Sequence, residues 1–208
     1  MVGSSQVLAR AECAAGEVVL RRRGEILELM VNGAFAMDTT DVSTEVLLAT
    51  EGLQQHSRPK WVLVGGLGLG FTTRALLADP RVGHVDVVEL AEPLVHWSRS
   101  GLVRELSGIE GERCTMHSGD IARVLGGEGP AGPWDLILLD LELPDRDGLD
   151  LMKDLQLAAP GAPVLVLSGQ PEADYGVQAL RAGASGFVAK ADGAKVLIEA
   201  IEKVRAQE

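Results

Sequence analysis

The sequence predicts an α/β protein in which a doubly wound parallel sheet follows a small antiparallel β-hairpin sheet. Two observations support this prediction. From residue 60 onward, short apolar runs alternate with helical patterns, which indicates parallel strands joined by right-handed crossovers. Before residue 57, turn signals such as Asn32-Gly33 separate short strand patterns, which is typical of hairpins. We therefore expect an N-terminal hairpin subdomain with a helix over residues 1–57 and an α/β domain over 58–208.

The N-terminal subdomain is predicted in detail as follows. Residues 1–16 are small and polar and are expected to be partly loose. Strands are predicted at 17–20, 25–31 and 34–37, with Arg21-Arg22-Arg23 as a solvated hairpin end. Thr40-Asp41 offers a cap for a helix that ends near Gln55.

In the second domain, the most informative strand is Trp134–Asp140, an apolar run flanked by Pro133. Such a run indicates a strand buried on both faces. Asp140 ends it, and ligands collect at the carboxyl ends of strands in open parallel sheets. The alternative is an aspartate that only initiates a turn. The other predicted strands are 61–64, 85–89, 114–117, 163–167 and 186–189, and the predicted helices are 71–78, 93–106, 120–125, 149–158, 172–182 and 194–205.

Composition limits the classes of partner. The net charge is −11 and there is no dense Lys/Arg block, which argues against nucleic acid. No apolar run reaches the length of a membrane helix, so no membrane partner is expected. Cys13 and Cys114 stand alone without zinc spacing, and no metal is expected. We therefore expect a cytoplasmic protein, and a homodimer is compatible with its sequence.

A glycine-rich loop stands between the first strand and the first helix of the second domain. Its glycines, Gly65, Gly66, Gly68 and Gly70, allow a ligand to approach the backbone beside a helix amino end. Glu89 ends the next strand, where an acid suits two ribose hydroxyls. Asp120 follows the third strand, where it suits an adenine amino group. The alternative is a packing turn with two helix-capping acids.

Residues 17–140 resemble a spermidine synthase or a relative in the class I methyltransferase superfamily. The resemblance rests on 61–70 (WVLVGGLGLG), 81–89 (RVGHVDVVE), 117–120 (HSGD) and 134–140 (WDLILLD). It implies that Gly66, Gly68 and Gly70 line an S-adenosylmethionine or decarboxylated S-adenosylmethionine site, with Glu89 at the ribose and Asp120 at the adenine. It also implies that Asp140 is catalytic. Two acids of the synthases are replaced here, by Gly68 and Leu143, which argues against aminopropyl transfer to a polyamine.

Residues 134–206 resemble a bacterial response-regulator receiver domain, which has a flavodoxin-like fold. The resemblance rests on 135–149 (DLILLDLELPDRDGL), 163–168 (PVLVLS) and 179–190 (ALRAGASGFVAK). It implies that Asp140 accepts a phosphoryl group, with Ser168, Phe187 and Lys190 as its partners. We also predict that Lys190 pairs with Asp140, although a lysine pointing to water is the alternative. Receivers need paired acids after their first strand to hold magnesium.

The acid pair that a receiver carries after its first strand is incomplete in this sequence, and two alignments of that place remain open. If Trp61–Val64 neighbours the Asp140 strand, Gly65 and Gly66 replace the acids; if the receiver begins at His84, Glu89 is a single acid. Joined at the shared strand, the two families predict a Rossmann-like sheet with strand order 3-2-1-4-5-6. We interpret the chain as an engineered or recombined chimera (58–140 methyltransferase-like, 134–208 receiver-like). The expected function is binding of an S-adenosylmethionine-type nucleoside with little or no transferase activity; the alternative is a signalling or scaffold module.

Overall fold

A computed structural model describes residues 5–130, 132–140, 148–168 and 172–189. The fold is α/β, with a six-stranded parallel sheet and a separate four-stranded antiparallel sheet. The antiparallel sheet contains β1 (Ser5–Cys13), β2 (Gly16–Arg23), β3 (Ile26–Val31) and β4 (Ala34–Asp38). The parallel sheet contains β5 (Trp61–Gly65), β6 (His84–Glu89), β7 (Cys114–Ser118), β8 (Leu136–Asp140), β9 (Val164–Ser168) and β10 (Gly186–Ala189).

The helices follow the strands of the parallel sheet, apart from α1, which precedes them. They are α1 (Ser43–Gln55), α2 (Phe71–Ala78), α3 (Glu92–Ser100), the short α4 (Ile121–Arg123), α5 (Gly148–Ala158) and α6 (Glu172–Arg181). A π-helical turn, Val124–Glu128, continues α4. Among the described residues no helix has the length and apolarity needed to cross a bilayer.

The parallel strands lie in the order β10-β9-β8-β5-β6-β7. Numbered along the chain from β5, this reads 6-5-4-1-2-3, which is the 3-2-1-4-5-6 order seen from the other edge. The predicted pairing of residues 61–64 with the Asp140 strand is confirmed, because Val62 pairs with Leu136 and Val64 with Leu138. The strand next to Asp140 is therefore the one that leads into the glycine loop.

Two apolar layers cover the faces of this sheet because its strands are apolar on both sides. One layer joins the sheet to α1, α2, α3 and the antiparallel sheet, and includes Leu48, Leu76 and Leu94. The other joins it to α4, α5 and α6, and includes Ile121 and Met152. Aromatic residues make up only 3% of the chain, and the buried side chains are mostly leucine and valine.

Several expectations for the N-terminal part are corrected. Residues 1–16 are predicted to be partly loose, but Ser5–Cys13 form β1, which pairs antiparallel with β2. The three arginines are not a solvated end: Arg21 and Arg23 pair with the buried Glu28, and Arg22 pairs with Glu105. An isolated basic run gives no sign of such partners, because Glu28 lies on the facing strand of the hairpin and Glu105 lies far along the chain.

Two helix ends also differ from the prediction. Asp41 accepts a hydrogen bond from the Ser43 N–H, but α1 has Val42 as its N-cap residue and no side-chain cap. The helix expected to extend to residue 106 ends at Ser100, because Gly101 follows with a left-handed φ of 68°. Residues 102–106 pack as irregular structure instead, with Val103 and Leu106 buried.

Candidate functional site

A cavity of about 460 Å³ lies at the carboxyl ends of four parallel strands, against β3 and β4 of the antiparallel sheet. The strand order sets the order of groups along its floor. Asp140 ends β8 and Glu89 ends β6. Gly65 ends β5, and Gly66 begins the loop that follows it. Gly119 and Asp120 follow β7. Four predicted positions on separate strands therefore meet in one place.

Glu89 is buried and is held by backbone amides on both carboxylate oxygens. The N–H of Leu67 donates to Oε2 at 2.6 Å, and the N–H of Ala91 donates to Oε1 at 2.7 Å. Burial raises the pKa of Glu89 above its usual value, against the lowering effect of these hydrogen bonds. The backbone amides of Gly68 and Leu90 also lower the pKa of this carboxyl, so amides of the glycine loop and of the turn after β6 fix the carboxylate at the cavity floor.

Backbone conformation explains why glycines line the loop. Gly66 has a φ of 103°, which side chains rarely adopt, and a Cβ atom there would lie 3.3 Å from the Cβ of Asp140. Gly68 has a φ of 52°, and its Cβ position lies 2.8 Å from the sulfur of Met37. The loop therefore runs close to Asp140 on one side and to β4 on the other.

Asp120 has two roles in this geometry. Its Oδ1 accepts from the N–H of Ala122 at 2.8 Å, so the side chain caps α4. It also lines the cavity beside Gly119, one strand beyond Glu89. Asp120 therefore caps a helix and also lines the cavity. Its contact with an adenine stays a prediction.

Not every predicted residue lies in the cavity wall. Gly65, Gly66, Gly68, Glu89, Asp120 and Asp140 line it, whereas Gly70 is buried behind it, where its Cβ position meets Ile109. Gly70 is the N-cap residue of α2 and has a left-handed φ of 81°. A glycine is favoured there because of the turn into the helix.

The receiver-like residues are placed only in part. Ser168 is buried at the end of β9, and Phe187 is buried on β10, in register with Val166. Neither is among the cavity-lining residues. Lys190 lies outside the described residues, as does Leu143, so the pairing of Lys190 with Asp140 stays a prediction.

The alternative alignments of the receiver acids are resolved by strand pairing. Gly65 pairs with Leu139 in register, so Gly65 and Gly66 occupy the place next to Asp140, and Glu89 lies one strand farther away. Within the described ranges no group of three His, Cys, Asp or Glu side chains is placed to hold a metal ion.

Sequence reasoning missed the wall that the antiparallel sheet contributes. Met37 contacts the glycine loop, where the N–H of Leu69 approaches its sulfur at 3.3 Å. The other lining residues from this side are Ala15, Leu29, Val31, Asn32, Ala34, Phe35 and Ala36. The alternation of β3 and β4 predicted a sheet, but nothing local in the sequence indicates which of its residues face the distant loop.

A second missed feature is a buried polar network around Asp86. Its Oδ2 accepts from the indole N–H of Trp61 at 2.6 Å and from that of Trp134 at 3.1 Å. Its Oδ1 lies 2.9 Å from Nε2 of His117. Three strands of the parallel sheet, together with the segment that leads into β8, are tied by this one side chain.

Comparison with known proteins agrees with both resemblances. The family model for the spermine/spermidine synthase domain matches residues 42–145, and that for the response regulator receiver domain matches residues 113–202. The chain is 39% identical over 72 residues to Fimbriae Z protein of Salmonella typhimurium, covering 35% of this chain and 34% of that protein. It is 42% identical over 57 residues to the cell cycle transcriptional regulator CtrA of Caulobacter vibrioides, covering 27% of this chain and 25% of that protein. The chain thus spans about a third of the length of the first relative and a quarter of the length of the second.

Solved structures support the fold. Spermidine synthase from Thermotoga maritima aligns with a TM-score of 0.62 at 17% identity, covering 74% of this chain and 53% of that one. A spermidine synthase in complex with the transition state analogue AdoDATO aligns with a TM-score of 0.64 at 17% identity, covering 74% of this chain and 55% of that one. The chain spans about half the length of these structures. Because the synthase model matches half of the chain, the protein belongs to the spermine/spermidine synthase family, with a receiver-like segment from residue 113 onward.

Proposed function

We propose that the chain binds an S-adenosylmethionine-type nucleoside and has little or no transferase activity. The observation that carries the proposal is the order of groups on the cavity floor. Asp120, Glu89 and the Gly65–Gly66 turn end three adjacent strands, β7, β6 and β5, and all line one cavity. Adenine near Asp120, ribose at Glu89 and the 5′-sulfur near Gly66 would follow that order.

We expect weak transferase activity because acidic side chains that synthases carry near the catalytic aspartate are absent from the matching positions of this chain. Of the two acids that synthases use for their amine substrates, one position is Gly68, which contacts Met37 instead. The other is Leu143, which lies outside the described residues. A polycationic acceptor loses much of its Coulombic attraction when two carboxylates are removed. We therefore expect no turnover of putrescine with decarboxylated S-adenosylmethionine.

Calorimetric titration of the full chain tests the proposal directly. The ligands are S-adenosylmethionine, its decarboxylated form, the corresponding thioethers and adenosine. Binding of these nucleosides with modest affinity is expected. Glu89→Ala should weaken binding by roughly 1.5 to 3 kcal/mol, the size of a hydrogen bond to a charged group.

The matched control is Glu25→Ala, because Glu25 is an exposed glutamate at the turn between β2 and β3. Its affinity should equal that of the unmodified chain. If Glu89→Ala binds as tightly as Glu25→Ala while both remain folded, the ribose assignment is wrong.

The second candidate is a receiver-like signalling or scaffold module with Asp140 as a degenerate phosphoacceptor. It is supported by the receiver match over residues 113–202 and by the position of Ser168, one residue beyond the partner of Asp140 on the adjacent strand. The two family models overlap over residues 113–145, a segment that contains β8. A chain recombined or engineered at β8 would show such an overlap.

A further inference from the structure

We infer that the nucleoside site continues into a second cavity, which accepts an aryl or alkyl substituent on the exocyclic amine of the bound base. This inference rests on the proposed function and specifies its ligand. The observation behind it is a cavity of about 860 Å³ beside the first one. Leu90, Gly119 and Asp120 line both cavities, so the two spaces meet at the place where the base is expected.

The second cavity lies past the edge of the parallel sheet. Among the described strands β7 is the edge strand, and the space beyond its carboxyl end is enclosed by α3, by the π-helical turn after α4 and by the tip of the β1–β2 hairpin. Small-molecule sites of about 300 to 1,000 Å³ enclose whole drug-sized ligands. The second cavity therefore has room for a large group attached to a nucleoside.

The orientation of the nucleoside brings its exocyclic amine to this opening. In adenosine the amine lies at the end of the base opposite the ribose. With the ribose at Glu89 and the base at Asp120, the amine is the group that reaches the junction of the two cavities. Oδ1 of Asp120 accepts from the N–H of Ala122 at 2.8 Å, so Oδ2 is the oxygen that faces the amine. One amine hydrogen satisfies this oxygen, and a carbon can replace the other hydrogen.

The lining of the second cavity suits a neutral aryl or alkyl group. Trp97 and Val124 are buried and Pro93 is half-buried, so the inner part of the lining is apolar. An aromatic substituent gains burial and contact with Trp97 there. Apart from Asp120, the titratable or charged residues on carboxylate, imidazole and guanidinium side chains of this lining are exposed and keep their hydration: Glu12, Glu92, His96, Arg123 and Glu128.

Calorimetric titration of the full chain compares adenosine, N⁶-benzyladenosine and N⁶-benzyl-N⁶-methyladenosine. The benzyl compound should bind at least about tenfold more tightly than adenosine, because the benzyl group leaves water for the apolar lining. The N⁶-methyl derivative has similar bulk but no N–H for Asp120. It should therefore lose most of the gain, which distinguishes a placed substituent from general hydrophobic adsorption.

A variant that fills the second cavity sharpens the test. Ala11 lines the cavity and pairs with Val18 in the β1–β2 register, a strand position that accepts an aromatic residue. Ala11→Phe should therefore abolish the preference for the benzyl compound. The matched control is Val7→Phe, at an exposed position of the same strand outside the cavity wall, which should preserve it.

Tryptophan fluorescence locates the substituent independently of affinity. Trp97 lines the second cavity, whereas Trp61 and Trp134 donate to Asp86 and do not line it. N⁶-nitrobenzyladenosine carries a group that quenches indole fluorescence on contact. Its quenching of the unmodified chain should be lost in Trp97→Phe. This measurement decides the position of the substituent even if Ala11→Phe does not fold.

The outcomes separate this inference from the proposed function. If N⁶-benzyladenosine binds no more tightly than adenosine, or if its preference persists in folded Ala11→Phe, the inference is overturned while adenosine binding keeps the proposed function. Quenching that persists in Trp97→Phe also overturns it. If adenosine and both benzyl derivatives fail to bind the folded chain, both the inference and the proposed function are overturned. Circular dichroism melts establish that each variant is folded.

Discussion

The carboxylate of Glu89 accepts a hydrogen bond of 2.6 Å from the backbone N–H of Leu67 in the glycine loop. This contact joins the end of β6 to the loop that follows β5, and it fixes the acid where a ribose is expected. The same carboxylate is buried, which raises its pKa above the usual 4.5. The charge of the site therefore depends on pH in a range above that of an exposed glutamate.

We predict that nucleoside affinity falls as the pH is lowered through the raised pKa of Glu89. Ribose hydroxyls donate to the ionised carboxylate, so protonation removes acceptor capacity. Titrations from about pH 8 to about pH 5 measure the trend. In Glu89→Gln the affinity should be weaker and flat across the same range. A constant affinity in the unmodified chain would contradict the assigned role.

The same shift has a defined effect on folding stability. Because the folded-state pKa lies above the unfolded value, the contribution of Glu89 is most favourable below the unfolded pKa and is lost as pH rises through the folded pKa. The free energy of unfolding of the unmodified chain should therefore decline relative to that of Glu89→Gln as pH rises through this window. Urea titrations at several pH values test the sign.

Asp140 is predicted to resist phosphorylation. Its neighbours on β5 are Gly65 and Gly66, in the place where a receiver carries magnesium-binding acids. Without the metal the charge of an incoming phosphoryl group is poorly neutralised. Incubation with a small phosphodonor and magnesium should give no adduct by intact mass. An adduct that disappears in Asp140→Asn would support the receiver function instead.

Single acid substitutions should not restore that chemistry. A Cβ at Gly65 would lie 2.7 Å from both Ile121 and Leu139 side-chain atoms, and Gly66 has a φ of 103°. Gly65→Asp and Gly66→Asp are therefore expected to lower the melting temperature and to remain unphosphorylated. If either variant is phosphorylated at Asp140 with unchanged stability, the geometric argument fails.

Asp86 is predicted to be a major contributor to stability. Replacement by Ala removes the acceptor for the indole N–H groups of Trp61 and Trp134 and for His117. Leaving these partners without an acceptor should cost roughly 3 kcal/mol. Urea unfolding followed by tryptophan fluorescence measures the change. Asp86→Asn retains one oxygen acceptor and should lose less; equal losses for the two variants would show that the hydrogen bonds are not the cause.

The two cysteines should differ in reactivity. Burial, with smaller contributions from Glu110 and Asp86, raises the pKa of Cys114 to about 12. At about pH 8 only roughly one molecule in ten thousand would carry its thiolate, the reactive form. Iodoacetamide should therefore modify Cys13 in the folded chain and Cys114 only after unfolding in urea. Labelling of Cys114 in folded Cys13→Ser would contradict its burial.

Sequence patterns were sufficient for the elements of the parallel sheet and for most of the floor of the site. Strands such as Trp61–Gly65 and Leu136–Asp140 are short apolar runs between turn signals, and their carboxyl ends must share one edge of a parallel sheet. That rule alone predicted that Glu89, Asp120 and Asp140 lie at the same edge of the sheet. Local patterns were less informative for β1, whose residues alternate without strong apolar character and are ordered by pairing with β2.

The sequence by itself determined the α/β architecture and the acids at the strand ends, because both follow from local periodicity and from the polarity of parallel strands. The tertiary structure decided which residues face these acids. Met37 contacts Gly68 across a separation in the chain that no spacing rule covers, and Gly65 rather than Glu89 lies beside Asp140. Such contacts depend on how two sheets pack and on which strands pair, and both are settled by burial of apolar surface over the whole molecule.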